Sequence, residues 1–237
     1  MSWTFAAETS SSMGSLALFK ETKLVDSARW PAEKSHSEKI TVEAQNLLKK
    51  NKLKWADIDQ FAVSTGPGSF TGIRVALNFI RTLAYSFEKP IYEMNSLLLL
   101  AAPALEKRQP VLCLQSAFRN LIYCAAYSIS DEKLDSTIVE ILPPAAIEIE
   151  QLKNHIAEKV QLPILAVGLG YSLFKQDFDP ELLKKFNRDP DLSDYPDAKN
   201  ISVLLNHKSP LISKMHWSET LPLYIRASEA EEKLKNN

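Results

Sequence analysis

The residues best spaced for chemistry form one loop. Gly66-Pro67-Gly68-Ser69-Phe70-Thr71-Gly72 follows an extended stretch, Gln60–Thr65, and leads into a helical stretch that begins Ile73-Arg74. Backbone N–H groups at such a strand-to-helix turn lack intrahelical acceptors and sit at the positive end of the helix dipole, so they can hold a phosphate or carboxylate. The spacing departs from the common phosphate motifs. A Walker A loop places lysine after its last glycine, whereas Ile73 follows Gly72. A dinucleotide fingerprint needs its third glycine at Thr71, one residue before it arrives. Two readings stand level: a phosphate cradle, or a structural turn that lets strand and helix pack closely.

Elsewhere the reactive side chains do not assemble. Cys113 and Cys124 make no CxxC and lie in apolar stretches, which suits buried, inert thiols. His155, His207 and His216 share no ligand spacing, and no serine sits in a nucleophile elbow. No residue is assigned as catalytic or as a metal ligand.

The elements that position the loop follow from periodicity. Trp3–Glu8, Gly14–Phe19 and Leu24–Arg29 read as strands joined by polar turns, an antiparallel meander. Ser35-His36-Ser37-Glu38 has the pattern of a capping box, and Ile40, Ala44, Leu47 and Leu48 form one stripe of the helix it opens. The helix after the glycine loop buries Ile73, Ala76, Ile80, Leu83, Ala84 and Phe87, and carries Arg74, Asn78, Arg81 and Tyr85 along another face. Ile91–Asn95 reads as a strand, with Ser96 capping the next helix. The polar Glu106–Pro110 segment marks a boundary, giving an N-terminal lobe 1–108, a C-terminal lobe 109–227 and a charged tail 228–237. In the second half, Val111–Gln115 and Leu121–Ile129 are strands. Pro143-Pro144 breaks the chain before a helix over 149–160, and Ile164–Val167 is a strand closing on Gly168-Leu169-Gly170. A short helix over 181–186, a helix over 198–207 and an extended Leu223–Ile225 complete the reading. Both halves follow a β-β-β-α-β-α plan.

Composition narrows the classes. The 237 residues carry 28 Lys+Arg against 29 Asp+Glu, a net charge of −1, so no basic footprint grips a nucleic-acid backbone unaided. A chain of this length carries about 17 glycines at average usage; this one has 6, grouped at 14, 66–72 and 168–170, so three tight sites are specified. The start, Met1 to Glu8, meets a carboxylate too early for a secretory signal, and the apolar run Leu97–Leu105 contains Pro103 and is too short to span a membrane. The expectation is a cytoplasmic protein without a membrane segment.

The loop as a literal string resembles the signature of the TsaB family, the non-catalytic partner in bacterial synthesis of threonylcarbamoyladenosine on tRNA. An ordered set of weaker matches accompanies it: Glu8-Thr9-Ser10 with Ser15-Leu16-Ala17-Leu18, His36-Ser37-Glu38, Ser96-Leu97, Val167-Gly168-Leu169-Gly170, Pro196-x-Ala198 and Pro222-x-Tyr224-Ile225-Arg226. The chain departs from the family in opening on Glu8 rather than Asp. It also has Ser116-Ala117-Phe118, followed by Arg119, where the family often has Asp-Ala-Arg.

The resemblance implies a two-lobed α/β fold of the actin/hexokinase/Hsp70 (ASKHA) kind. Active members hold magnesium-nucleotide on carboxylates and glycine-rich turns. Here the Thr9–Met13 turn after Glu8 has no glycine, so Glu8 reads as a turn-capping or interface residue. The family's catalytic partner, TsaD, carries a His-x-x-x-His metal pair, whereas here Ile40 stands four residues after His36. The implied function is a pseudoenzyme scaffold that docks a TsaD-like subunit, joined by a TsaE-like ATPase. It would meet tRNA only through the complex, self-pairing of the free protein being left open. No resident cofactor is implied, a nucleotide at the partner interface being left open. The interface candidates are His36, Ile40, Ala44, Leu47, Arg74, Asn78, Arg81 and Tyr85 on the two helices flanking the loop. The alternatives are an active phosphotransferase using Glu8 and the glycine loop, and, more weakly, a metal-dependent peptidase.

Overall fold

The computed structural model describes residues 2–32, 35–117, 120–130, 137–157, 159–207 and 209–225. The opening meander forms as its alternation requires, with β1 (Trp3–Glu8), β2 (Met13–Lys20) and β3 (Lys23–Pro31) paired antiparallel. Ser35 then caps α1 (His36–Lys50), accepting from the Ser37 N–H rather than from Glu38. β4 (Gln60–Ser64) lies parallel to β1, α2 (Phe70–Phe87) follows the glycine loop, and β5 (Ile91–Met94) lies parallel to β4. α3 (Ser96–Glu106) ends the first half. Its cap is Asn95, whose side chain accepts from the Leu98 N–H, and Ser96 is the first helical residue.

The second half repeats the scheme. β6 (Val111–Ser116), β7 (Leu121–Ser130) and β8 (Thr137–Glu148) form a meander. After α4 (Leu152–Ile156), β9 (Ile164–Val167) runs parallel to β6. α5 (Leu169–Leu173) and α6 (Pro180–Leu183) lead to β10 (Phe186–Asn187), parallel to β9. α7 (Ile201–Leu205) precedes β11 (Ser213–Met215). The sheet orders are β11-β5-β4-β1-β2-β3 and β10-β9-β6-β7-β8, so the second sheet copies the first once β11 is set aside. This duplicated order fits the two-lobed plan that the resemblance implies.

Alternation along the strands sends residues to opposite faces, which builds three apolar clusters. Phe5, Ala7, Leu16, Leu18, Phe61 and Val63 meet α1 and α2 on one face of the first sheet. Ala6, Ala17, Ala62 and α3 join Val111, Cys113, Tyr123, Ala125 and Tyr127 of the second sheet, so α3 and α7 are packed between the sheets. Leu112, Leu114, Ile122 and Cys124 pack on α4 and α6 at the outer face of the second sheet. α1 and α2 thus lie on the flank of the molecule away from the second sheet.

Four sequence expectations change. Pro143-Pro144 lies inside β8 rather than breaking the chain; β8 is the edge strand of its sheet, and its register against β7 shifts around Ala126. An edge strand with a bulge accepts residues that cannot donate to a ladder. The helices expected over 149–160 and 198–207 shrink to 3₁₀ turns leading into α4 and α7. The helix expected over 181–186 ends at Leu183, and Phe186–Asn187 is a strand. β11 pairs with β5, so the chain from Ser213 returns to the first sheet. Three residues are too few to show a strand period. The tail 228–237 lies outside the described residues.

Candidate functional site

The glycine loop is pressed against the β1–β2 turn. Gly66 has φ +106°, a conformation that L side chains rarely adopt. A Cβ on Gly68 would collide with the Ser10 carbonyl oxygen, and one on Gly72 with that of Thr9. Hydrogen bonds tie the two segments together. The Ser69 N–H donates to the Ser10 carbonyl (2.7 Å), and the Thr9 hydroxyl donates to the Gly72 carbonyl (2.7 Å) while accepting from the Ala76 N–H (3.1 Å). Ser69 caps α2 through the Gly72 N–H (3.2 Å), and the Ser96 hydroxyl donates to the Pro67 carbonyl. The groups facing the glycines are therefore carbonyl oxygens, whose partial negative charge repels an anion. The geometry favours the close-packing reading over the phosphate cradle. Phe70 and Thr71 turn outward at the start of α2.

Two polar side chains brace the same turn. Glu8 is fully buried, and its Oε1 accepts from the Ser10 N–H. Burial pushes its carboxyl above the usual range, outweighing the Ser10 hydrogen bonds that favour the charged form, and Asp197 adds to the rise. His36 is buried edge-on to Trp30 and donates from Nε2 to the Ser11 carbonyl (2.8 Å). Both residues hold the turn. Among the described residues, no three His, Cys, Asp or Glu side chains are grouped to hold a metal ion, and no helix is long and apolar enough to cross a membrane.

The candidate interface residues divide by burial. His36, Ile40, Ala44 and Leu47 are 6%, 3%, 0% and 4% exposed, so they pack into the core. The stripe read from α1 is its sheet-facing side, because a helix against a sheet spends its apolar side there. The outward residues of α1 include Thr41, Val42, Gln45 and Asn46. On α2, Arg74, Asn78 and Tyr85 are exposed and Arg81 is half-buried. Ile40 floors a shallow groove of about 460 Å³ between the two helices, which Phe70, Thr71, Arg74 and Asn78 line.

A strap of chain lies along α2. After β11 the chain runs from the C-terminal end of α2 to its N-terminal end. Arg81 donates to the Trp217 carbonyl (2.9 Å), and Tyr85 packs edge-on to the Trp217 ring at 4.9 Å. Arg74 donates to the Tyr224 hydroxyl (2.7 Å) and lies 3.8 Å from the Phe70 ring centroid, while Phe70 and Tyr224 stack at 4.9 Å. The Leu223 N–H donates to the Thr65 carbonyl beside the loop (2.8 Å). Leu221 and Tyr224 remain 61% and 40% exposed. The one signal for this strap was the Pro222-x-Tyr224-Ile225 string; Phe118, Arg119 and Arg226 lie outside the described residues.

A family model described as "TsaD: tRNA N6-adenosine threonylcarbamoyltransferase" matches residues 31–234. Relatives named as TsaB match as well. One from Bacillus subtilis, "tRNA threonylcarbamoyladenosine biosynthesis protein TsaB", is 27% identical over 228 residues, covering 96% of each chain. The chain belongs to this family, as a TsaB member. A TsaB protein of Buchnera aphidicola subsp. Schizaphis graminum is 28% identical over 219 residues, covering 88% of this chain and 96% of its own. The solved structure "YeaZ from Pseudomonas aeruginosa" superposes with a TM-score of 0.74 at 20% identity, covering 94% of this chain and all of that one. At that identity the likeness supports the fold. Within the TsaB family frame, the glycine loop and the His36 helix start are the segments that brace α1 and α2.

Proposed function

We propose that this TsaB-family protein serves in the biosynthesis of threonylcarbamoyladenosine on tRNA as a non-catalytic subunit in the cytoplasm. It docks a TsaD-like catalytic subunit on the outward side of α1 and α2. A TsaE-like ATPase joins that assembly, tRNA is met through it, and the free protein pairs with itself. The relatives' biosynthetic names support the pathway. The observation that carries the docking role is the α2 flank: Arg74, Asn78 and Tyr85 exposed on a helix held at its start by the filled glycine loop, beside exposed Val42 of α1. Arginine and aromatic side chains on one firm helical face suit a protein interface. The glycine loop works without a resident nucleotide or metal, a reading supported by the carbonyl oxygens that fill it.

The test is size exclusion with light scattering on the protein, on the TsaD-like subunit of the same organism, and on their mixture, alongside tRNA modification in vitro. A heterocomplex lost on Val42→Asp, with modification lost in parallel, is expected. A mixture that stays uncomplexed at micromolar concentration, with modification equal in its absence, overturns the reading. Calorimetry with magnesium-ATP on the free protein and on Glu8→Gln is expected to give the same isotherm; tight binding abolished by Glu8→Gln overturns the non-catalytic reading.

A further inference from the structure

At the end of α2 farthest from the glycine loop, a pocket of about 680 Å³ opens between that helix and β11, lined by Tyr85, Lys89, Lys214, His216 and Trp217. Its side chains are of two kinds. Tyr85, Trp217 and His216 form a run of rings with centroids 4.9 Å and 5.0 Å apart, and Tyr85 is 62% exposed despite its contact with Trp217. Around them, Lys89 and Lys214 have no carboxylate partner among the described residues; the Lys214 ammonium lies over the Tyr92 ring at 5.9 Å. The pocket walls are fixed, because Arg81 holds the Trp217 carbonyl and β11 is paired to β5.

Rings that offer surface to a flat π-system, next to unpaired ammonium groups, match a ligand that is aromatic at one end and anionic at the other. We propose that this pocket binds a nucleotide, with its base on Tyr85 and Trp217 and its phosphate between Lys89 and Lys214. The carbonyl end of α2 and Glu88 disfavour an anion there, and the lysines offset them. The pocket shares Tyr85 with the proposed docking flank, and titration of the free chain reads the pocket alone. A nucleotide arrives either free or as one residue of a single-stranded RNA, and the two present the same base and phosphate.

The experiment is titration of the full chain, followed by the indole N–H signal of Trp217, which Trp217→Phe assigns. The probes are adenosine, AMP and an unstructured adenine-rich pentaribonucleotide at low salt. AMP is expected to shift that signal more strongly than adenosine. Tyr85→Ala weakens adenosine and AMP alike, by about tenfold or more, the scale of one base–aromatic stack. Lys89→Ala with Lys214→Ala weakens AMP by about tenfold and leaves adenosine unchanged, the scale of a charge-assisted contact. A pentamer that binds at least tenfold tighter than AMP identifies an RNA strand as the source; equal affinity identifies a free nucleotide. No shift of Trp217 with millimolar AMP or pentamer, or binding that none of these substitutions changes, overturns the proposal. Circular dichroism of each variant separates lost binding from lost fold.

Discussion

Gly72→Ala is the sharpest probe of the loop that positions α2, because two physical effects predict opposite signs. Gly72 lies in the first turn of α2, where alanine is favoured over glycine by about 1 kcal/mol of helix propensity. Against this, an alanine Cβ there would lie 2.1 Å from the Thr9 carbonyl oxygen. That oxygen is backbone, held in β1–β2, so it cannot swing aside as a flexible side-chain end would. Relief requires the loop and turn to separate, which strains the Thr9 hydroxyl bonds to the Gly72 carbonyl and the Ala76 N–H. Overpacking costs about 1–3 kcal/mol and each bond about 1 kcal/mol. The steric loss, about 3–5 kcal/mol in all, outweighs the propensity gain and leaves a net destabilisation of about 2–4 kcal/mol. For a protein of this size that lowers Tm by roughly 4–16 °C. Urea unfolding followed by circular dichroism, with calorimetry as a second probe, measures it. A Gly72→Ala protein as stable as wild type, or more so, would refute the claim that this glycine serves close packing against the turn.

Three further outcomes are expected. Burial raises the Glu8 carboxyl above its ordinary 4.5, so its contribution to stability is full below about pH 4.5 and is lost as pH rises through the raised value. Glu8→Gln keeps an acceptor for the Ser10 N–H and removes that loss. Its urea midpoint is expected above wild type at pH 8, the difference shrinking towards pH 4; a difference independent of pH refutes the assignment. Leu47→Asp buries a charge in the core and is expected to cost more than about 3 kcal/mol, whereas Val42→Asp on the exposed side stays within about 0.5 kcal/mol of wild type in urea. Equal losses at the two positions contradict the assigned faces of α1. Tyr224→Ala removes the Phe70 stack and the Arg74 bond, at about 1–2 kcal/mol, and is expected to speed proteolysis between Trp217 and Ile225 with the sheets intact. Unchanged cleavage there shows that the strap is held by other contacts.

Local rules made much of this molecule legible in advance. Alternation at residues 3–31 specifies a meander because side chains on a strand point to opposite faces, and the 3.6-residue stripes of α1 and α2 follow from the same geometry on a helix. The clustering of 6 glycines at 14, 66–72 and 168–170 marks the places where backbone must approach something closely. The literal string of the loop carried the family. What approaches the glycines was beyond reach of the sequence: the loop could hold phosphate or pack on a turn, and only the Thr9 and Ser10 carbonyl oxygens decide between them. The stripe of α1 shows that one side is apolar; whether that side meets a sheet or a partner depends on β2 and β3 lying beneath it. Strands too short for a period, such as β10 and β11, exist through their pairing to β9 and β5. The strap belongs with them. Its contacts join residues 74 and 224, or 81 and 217, and such pairings are fixed when the sheets close, by no pattern local to either segment.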